Sequence, residues 1–145
     1  MRKLLFVFSG LLLLGLSCKK ESSQTGQVSI LKTKWTLSSI QDTKSKVITN
    51  FPNDANNKIS IDFTDSLSII SFSGICNGGQ GKYTLSSDNK TIKIADLATT
   101  KIACKYVEWE QYVTSNLANA FTYTINGNNL EIDSNGSYNL NFTKN

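Results

Sequence analysis

Histidine is absent from all 145 residues, and the only arginine is Arg2, which sits in an N-terminal segment with the marks of an export tag. Without these two residue types the chain lacks the usual general base, the commonest zinc ligand, the Ser-His-Asp and Cys-His arrangements and an arginine clamp for phosphate. Most familiar hydrolase chemistry is thereby excluded. Clustered positive charge is missing as well. The formal charge of +4 includes Arg2 and Lys3, so the residues from Cys18 onward carry +2, with their lysines spread along the chain. A surface that tracks a phosphate backbone needs them gathered together, and no nucleic-acid partner is expected. A membrane-spanning run is also lacking: the apolar stretch 4–16 is about thirteen residues long, short of the roughly 20 that a spanning helix requires.

That stretch has a different use. Arg2 and Lys3 form a short positive region, the apolar run follows, and small Ser17 precedes Cys18, which is the pattern of a secretory signal. Leu16, Ser17 and Cys18 resemble the lipobox of bacterial lipoproteins, with Gly15 standing where leucine is usual. Cys18 is therefore expected to be acylated after removal of 1–17, the plainer alternative being an ordinary cleaved signal. Three cysteines in an exported chain leave one unpaired unless Cys18 carries lipid. Cys76 and Cys104 then remain as an even pair, for which an oxidising compartment favours a disulfide over two buried free thiols. The loop it would close has about 29 residues, corresponding to about 3.6 kcal/mol in the chain-entropy account.

Residues 18–33 are polar without a sustained period and are read as a lipidated tether, whose reach is roughly 20 Å for a flexible chain of that length. The remaining 34–145 suffice for one small domain. Alternation with period two dominates it: Ile59, Ile61 and Phe63; Tyr83 and Leu85; Ile92 and Ile94; Phe121, Tyr123 and Ile125; Leu130 and Ile132; Tyr138, Leu140 and Phe142. Each set marks a half-buried strand. Turn residues fall between them, as at Asn126, Gly127 and Asn128 or Ser134, Asn135 and Gly136. With 35–40 and 67–72 added, about eight antiparallel strands in meander-like order are expected. Only 102–120 has a helical period, through Ile102, Tyr106, Trp109, Val113, Leu117 and Ala120. The expected fold is mainly β (α+β): a curved antiparallel sheet or partial barrel of about eight strands, with one amphipathic helix packed on it.

Four glycines, Gly74, Gly78, Gly79 and Gly81, crowd around Cys76 and Asn77. A phosphate loop needs Gly-Lys followed by Ser or Thr at the opening of a helix, and here Gly81 and Lys82 lead into Tyr83 and a strand. The stretch is better explained as a corner, in which glycines let the backbone bend and Asn77 bonds a neighbouring amide. A disulfide from Cys76 to Cys104 would fasten that corner to the helix. The carboxylates offer no acid and base pair or metal ladder, since Glu108 and Glu110 are two apart on the expected helix. They are read as solvated charge.

Taken together, Trp35, Thr36, Leu37 and Ile40; Ile61, Asp62 and Phe63; Ser73, Gly74, Ile75, Cys76 and Asn77 with Gly81 and Tyr83; Thr100, Lys101, Ile102, Ala103 and Cys104; Glu110 and Leu117; Phe121, Thr122 and Tyr123; and Leu130, Glu131 and Ile132 resemble the META domain of HslJ-like bacterial proteins. The likeness runs over about 34–143. It implies a small β-rich domain with a helix, often lipid-anchored or secreted, associated in some members with stress responses and antibiotic tolerance. No catalytic residue, cofactor or metal is expected. The expected reading is a bacterial envelope lipoprotein at the outer membrane, binding an unknown protein or other envelope partner. A small inhibitor of a cell-wall hydrolase such as lysozyme is the alternative. Asn77, Gly78, Gly79 and Gln80 form the candidate partner-contact loop.

Overall fold

The computed structural model describes residues 29–52 and 56–145. Cys18 and the expected signal peptide lie outside them. The alternating segments form β1 (Trp35–Asp42), β2 (Ile48–Asn50), β3 (Ser60–Thr64), β4 (Ile69–Ser73), β5 (Gly78–Leu85), β6 (Ile92–Thr99), β7 (Ala120–Asn126), β8 (Asn129–Ser134) and β9 (Tyr138–Lys144). Helix α1 (Val107–Leu117) joins β6 to β7, and a 3-10 turn, Asp65–Leu67, joins β3 to β4. Eight strands make one antiparallel path, β6-β5-β4-β3-β1-β9-β8-β7, while short β2 pairs with the part of β1 that β3 leaves open.

Bulges and the right-handed twist of strands curl this path into a half-barrel. Its two ends meet at one point, where Thr91 bridges Thr122 and the Tyr123 N–H donates to the Lys90 carbonyl at 2.8 Å. Inside lie the large apolar side chains that the period-two pattern marked, among them Trp35, Ile61, Phe63, Ile70, Ile132, Leu140 and Phe142. Each such side chain, fully buried, contributes about 1.5–3 kcal/mol. The bulge at Ser38 changes the phase of β1, so Ser39 and Ile40 are both buried after the alternation of Trp35 and Leu37.

The barrel has two differently closed ends. Where β1 begins, Ile30 is buried, the Trp35 indole N–H donates to its carbonyl at 3.1 Å, and the Lys32 N–H donates to Phe63 at 3.2 Å. The last residues of the expected tether, 30–33, are thus part of the domain. Where β1 finishes, α1 lies against β8 and β9 and buries Trp109, Val113 and Leu117. Asn116 fastens it there, its Oδ1 accepting the Ser134 hydroxyl and the Tyr138 N–H, both at 3.0 Å.

Three local expectations change. The helix begins at Val107 rather than at 102, because Tyr106 takes a left-handed conformation (φ 68°) that a continuing right-handed helix cannot contain. Ile102 therefore lies in the connection from β6 and is 58% exposed. Phe121 occupies the bulge between Ala120 and Thr122, which turns it outward (54% exposed) instead of onto the face of Tyr123. Leu67, expected to start a strand, ends the 3-10 turn and is exposed.

Candidate functional site

The glycine-rich corner is built around a buried carboxylate. Residues 74–77 turn the chain from β4 into β5, and α1 carries Glu110 beneath that turn, only 3% exposed. Glu110 Oε1 accepts the backbone N–H groups of Cys76 (2.8 Å) and Asn77 (3.2 Å), and its Oε2 accepts the Asn77 side-chain amide at 2.6 Å. A charged acceptor facing backbone amides in a dry site makes strong hydrogen bonds. Gly74 is required by this closeness, since a Cβ there would overlap the Glu110 carboxylate and lie 2.8 Å from the Asn77 carbonyl.

Asn77 is the hub of the corner. Besides bonding Glu110, its Nδ2 donates to the Ile102 carbonyl (2.9 Å), and its Oδ1 accepts the Thr100 hydroxyl (2.9 Å) and the Ile102 N–H (2.6 Å). One buried side chain thereby joins the β4–β5 turn, the connection leaving β6 and the helix. The disulfide between Cys76 and Cys104, with Cα atoms 6.6 Å apart, fastens the same segments. Their sulfurs and a Glu110 oxygen lie within 4.8 Å of one another. Because the sulfurs are bonded to each other, they offer no thiolate to a metal.

Two expectations about these residues are corrected. Glu110 is not a solvated charge: it falls within the helical stripe of Tyr106, Val113 and Leu117, so the helix turns it inward. Its place in that stripe was a usable signal. Nor do residues 77–80 project as a loop. Asn77 is 6% exposed, and Gly78, Gly79 and Gln80 are paired within the sheet, all three with β4 and the last two with β6 as well. Among them Gly78 and Gln80 remain open to solvent. Gly81 serves the same pairing, opposite the extra residues Asp96 and Leu97 of a β6 bulge; a Cβ on it would come 2.9 Å from the Ala95 carbonyl and 3.0 Å from the Leu97 Cα.

Beside the corner a cleft of about 460 Å³ opens between the connection 99–103 and the first two turns of α1. Phe72, Ile102 and Val107 give it apolar walls, and Thr100, Lys101 and Gln111 stand at its sides. A family model described as the META domain matches residues 28–145. The chain belongs to the META-domain family. The corner and cleft are therefore features of a META domain, formed by residues 72–77 and 99–114 within the matched span.

Solved structures share the fold. One, an NMR structure of a protein from Burkholderia xenovorans, has 18% identity and a TM-score of 0.64, over 80% of this chain and 83% of that one. A crystallised DUF4847 family protein from Bacteroides vulgatus has 13% identity and a TM-score of 0.60, over 80% and 94% of the two chains. A further protein solved by NMR has 20% identity and a TM-score of 0.53, again over 80% and 94%. A search of curated proteins finds no match.

Proposed function

We propose that this META domain is a non-catalytic binding module of a bacterial cell envelope, HslJ-like in kind, anchored at the outer membrane through lipid on Cys18 and engaged under envelope stress. The observation that carries this reading is the polarity of the barrel. The chain enters the domain at Ile30, at the end where β1 begins, while the corner, the disulfide and the cleft lie at the other end, with α1. An anchor upstream of Ile30 would join the domain at the end opposite the cleft. The corner's charge is committed to structure: Glu110 accepts three hydrogen bonds that hold two segments in place. Such a rigid frame, with open surface beside it, suits recognition.

Anchoring is tested by Cys18→Ser or globomycin treatment, each of which should leave unprocessed, unlipidated precursor; release of normal soluble protein would refute it. Crosslinking in intact envelopes under heat and antibiotic stress should capture a defined partner that the Cys18→Ser protein misses. Inhibition of lysozyme by the purified protein would move the function to the inhibitor class, and turnover of a substrate abolished by a point change that leaves the fold intact would overturn the non-catalytic reading.

A further inference from the structure

Resting on that binding-module reading, we propose that the groove between the outer edge of β6 and helix α1 takes up an extended peptide with an apolar last residue and a free carboxylate, added as a strand alongside β6. The edge is the first reason. β6 ends the sheet path and pairs with β5 on one side only; on the other, among the described residues, it meets β7 at the single bridge next to its start, Thr91 to Thr122. Beyond that bridge only Ala120 and Phe121 of β7 remain, opposite the first residues of β6, and the chain before them turns into α1. A sheet edge with unpaired N–H and C=O groups is what an incoming strand completes.

The space is the second reason. A hollow of about 350 Å³ lies between Ile94–Leu97 and the last turns of α1, and it shares Thr99, Gln111 and Thr114 with the cleft of about 460 Å³ beside the corner. The two make one groove along the strand edge, walled on its far side by a helix. The β6 bulge, with Asp96 in a left-handed conformation (φ 54°) and exposed, interrupts the edge. A bulge with an exposed charge discourages open-ended pairing between copies of the chain. It leaves 97–100 accessible to a short peptide.

Charge gives the occupant its direction. The N-terminus of α1, at Val107, lies at the Lys101 end of the groove, and Ala118, just past its C-terminus, lies at the Asp96 end. Of the charged side chains that line the groove, Lys101 is exposed at one end and Asp96 at the other, while Glu110, in the acidic first turn of α1, is buried and already bonded to the corner amides. A terminal carboxylate belongs at Lys101, a basic side chain at Asp96, and the peptide then runs parallel to β6. Its last side chain enters between Phe72, Ile102 and Val107, covering Ile102, which is otherwise an exposed isoleucine beside a buried corner.

The test uses the lipidated full chain in detergent and the fluorescein-labelled peptide Lys-Ser-Thr-Ser-Thr-Val, read by fluorescence anisotropy. Saturable binding is expected, with slowed amide exchange over 94–101. C-terminal amidation of the peptide and Lys101→Glu should each weaken it about two- to fivefold, the worth of an exposed charge pair, and the two changes together should cost less than the product of their effects. Gln111→Trp, at an exposed helix position shared by both hollows, should weaken binding more than about tenfold by filling the groove. Absence of saturable binding up to millimolar peptide overturns the proposal, as does protection located elsewhere, or wild-type affinity in both variants with native circular dichroism. In those cases partner capture by crosslinking in envelopes would persist if the binding-module reading is right, and would place the partner on another face.

Discussion

Replacing Asn77 with aspartate changes one NH2 group to oxygen and keeps the shape, so its effect isolates the chemistry of the buried corner. In the native domain the Asn77 Nδ2 donates to Glu110 Oε2 at 2.6 Å and to the Ile102 carbonyl at 2.9 Å. Asn77→Asp turns both contacts into acceptor against acceptor. Leaving buried groups unpaired in this way costs about 1–3 kcal/mol each. Two carboxylates about 4 Å apart at an effective dielectric near 20 add about 4 kcal/mol of repulsion while both are ionised. The total, roughly 6 kcal/mol or more, is comparable to the whole stability of a small domain, about 5–15 kcal/mol.

The same reasoning gives the variant an inverted response to acid. A proton on the new carboxyl at position 77 removes the repulsion and restores a donor, so the folded variant binds that proton more tightly than the unfolded chain does. A group that holds its proton more tightly when folded contributes stability that is complete below the unfolded carboxyl range, about pH 4, and that is lost as pH rises through the folded-state titration. The penalty of Asn77→Asp relative to wild type should therefore be smallest near pH 4 and grow towards pH 7. That of Asn77→Ala, which removes the donor without adding charge, should change less over the same range. Urea unfolding of the three proteins across that range measures both. An aspartate variant as stable as wild type at pH 7, or a penalty that does not change with pH, would refute the picture of a buried, internally bonded Glu110.

Three further outcomes follow from the geometry. Reduction, or the double change Cys76→Ser and Cys104→Ser, should lower stability by about 3 kcal/mol in denaturant titrations yet leave a native spectrum, because Asn77 and Glu110 still join the segments that the disulfide links; an unfolded reduced chain would contradict this. Gly81→Ala should cost about 1–3 kcal/mol by overpacking, as its Cβ would meet the Ala95 carbonyl at 2.9 Å, and thermal melts at wild-type temperature would contradict the close approach of β5 and β6. Burial, with a smaller contribution from Asp65, pushes the Tyr83 hydroxyl above its ordinary value of 10.0, and Tyr123 is raised the same way by burial and Asp88. The unfolded chain therefore ionises first, so stability should hold below about pH 10 and fall above it, with tyrosinate absorbance rising late and together with unfolding.

Much of the architecture was legible in the residues because a strand's two faces follow from neighbours two positions apart. Trp35 with Leu37, Ile61 with Phe63, and Leu140 with Phe142 announced their strands and their buried faces, and all are in the core. The pairing of Cys76 with Cys104 was open to simple arithmetic. The lack of histidine throughout, and of arginine beyond Arg2, narrowed the chemistry before any fold was known. Local pattern failed where one residue changed the phase: the bulge that turns Phe121 outward and the left-handed Tyr106 that delays the helix are single-residue events with no periodic trace.

Tertiary structure alone decided what Glu110 and Asn77 do. Their partners come from 33 or 34 positions away between the two, and from 23 to 25 positions away in the connection leaving β6. A carboxylate in the sequence can be solvated or buried, and only the curl of the sheet, by carrying α1 under the β4–β5 turn, brings it to the amides that make burial affordable. The groove has the same origin. β6 has a free edge because the eight-strand path stops there, and it has a wall because the chain uses the residues before β7 as a helix. Both are properties of the path as a whole, and no short stretch of sequence contains them.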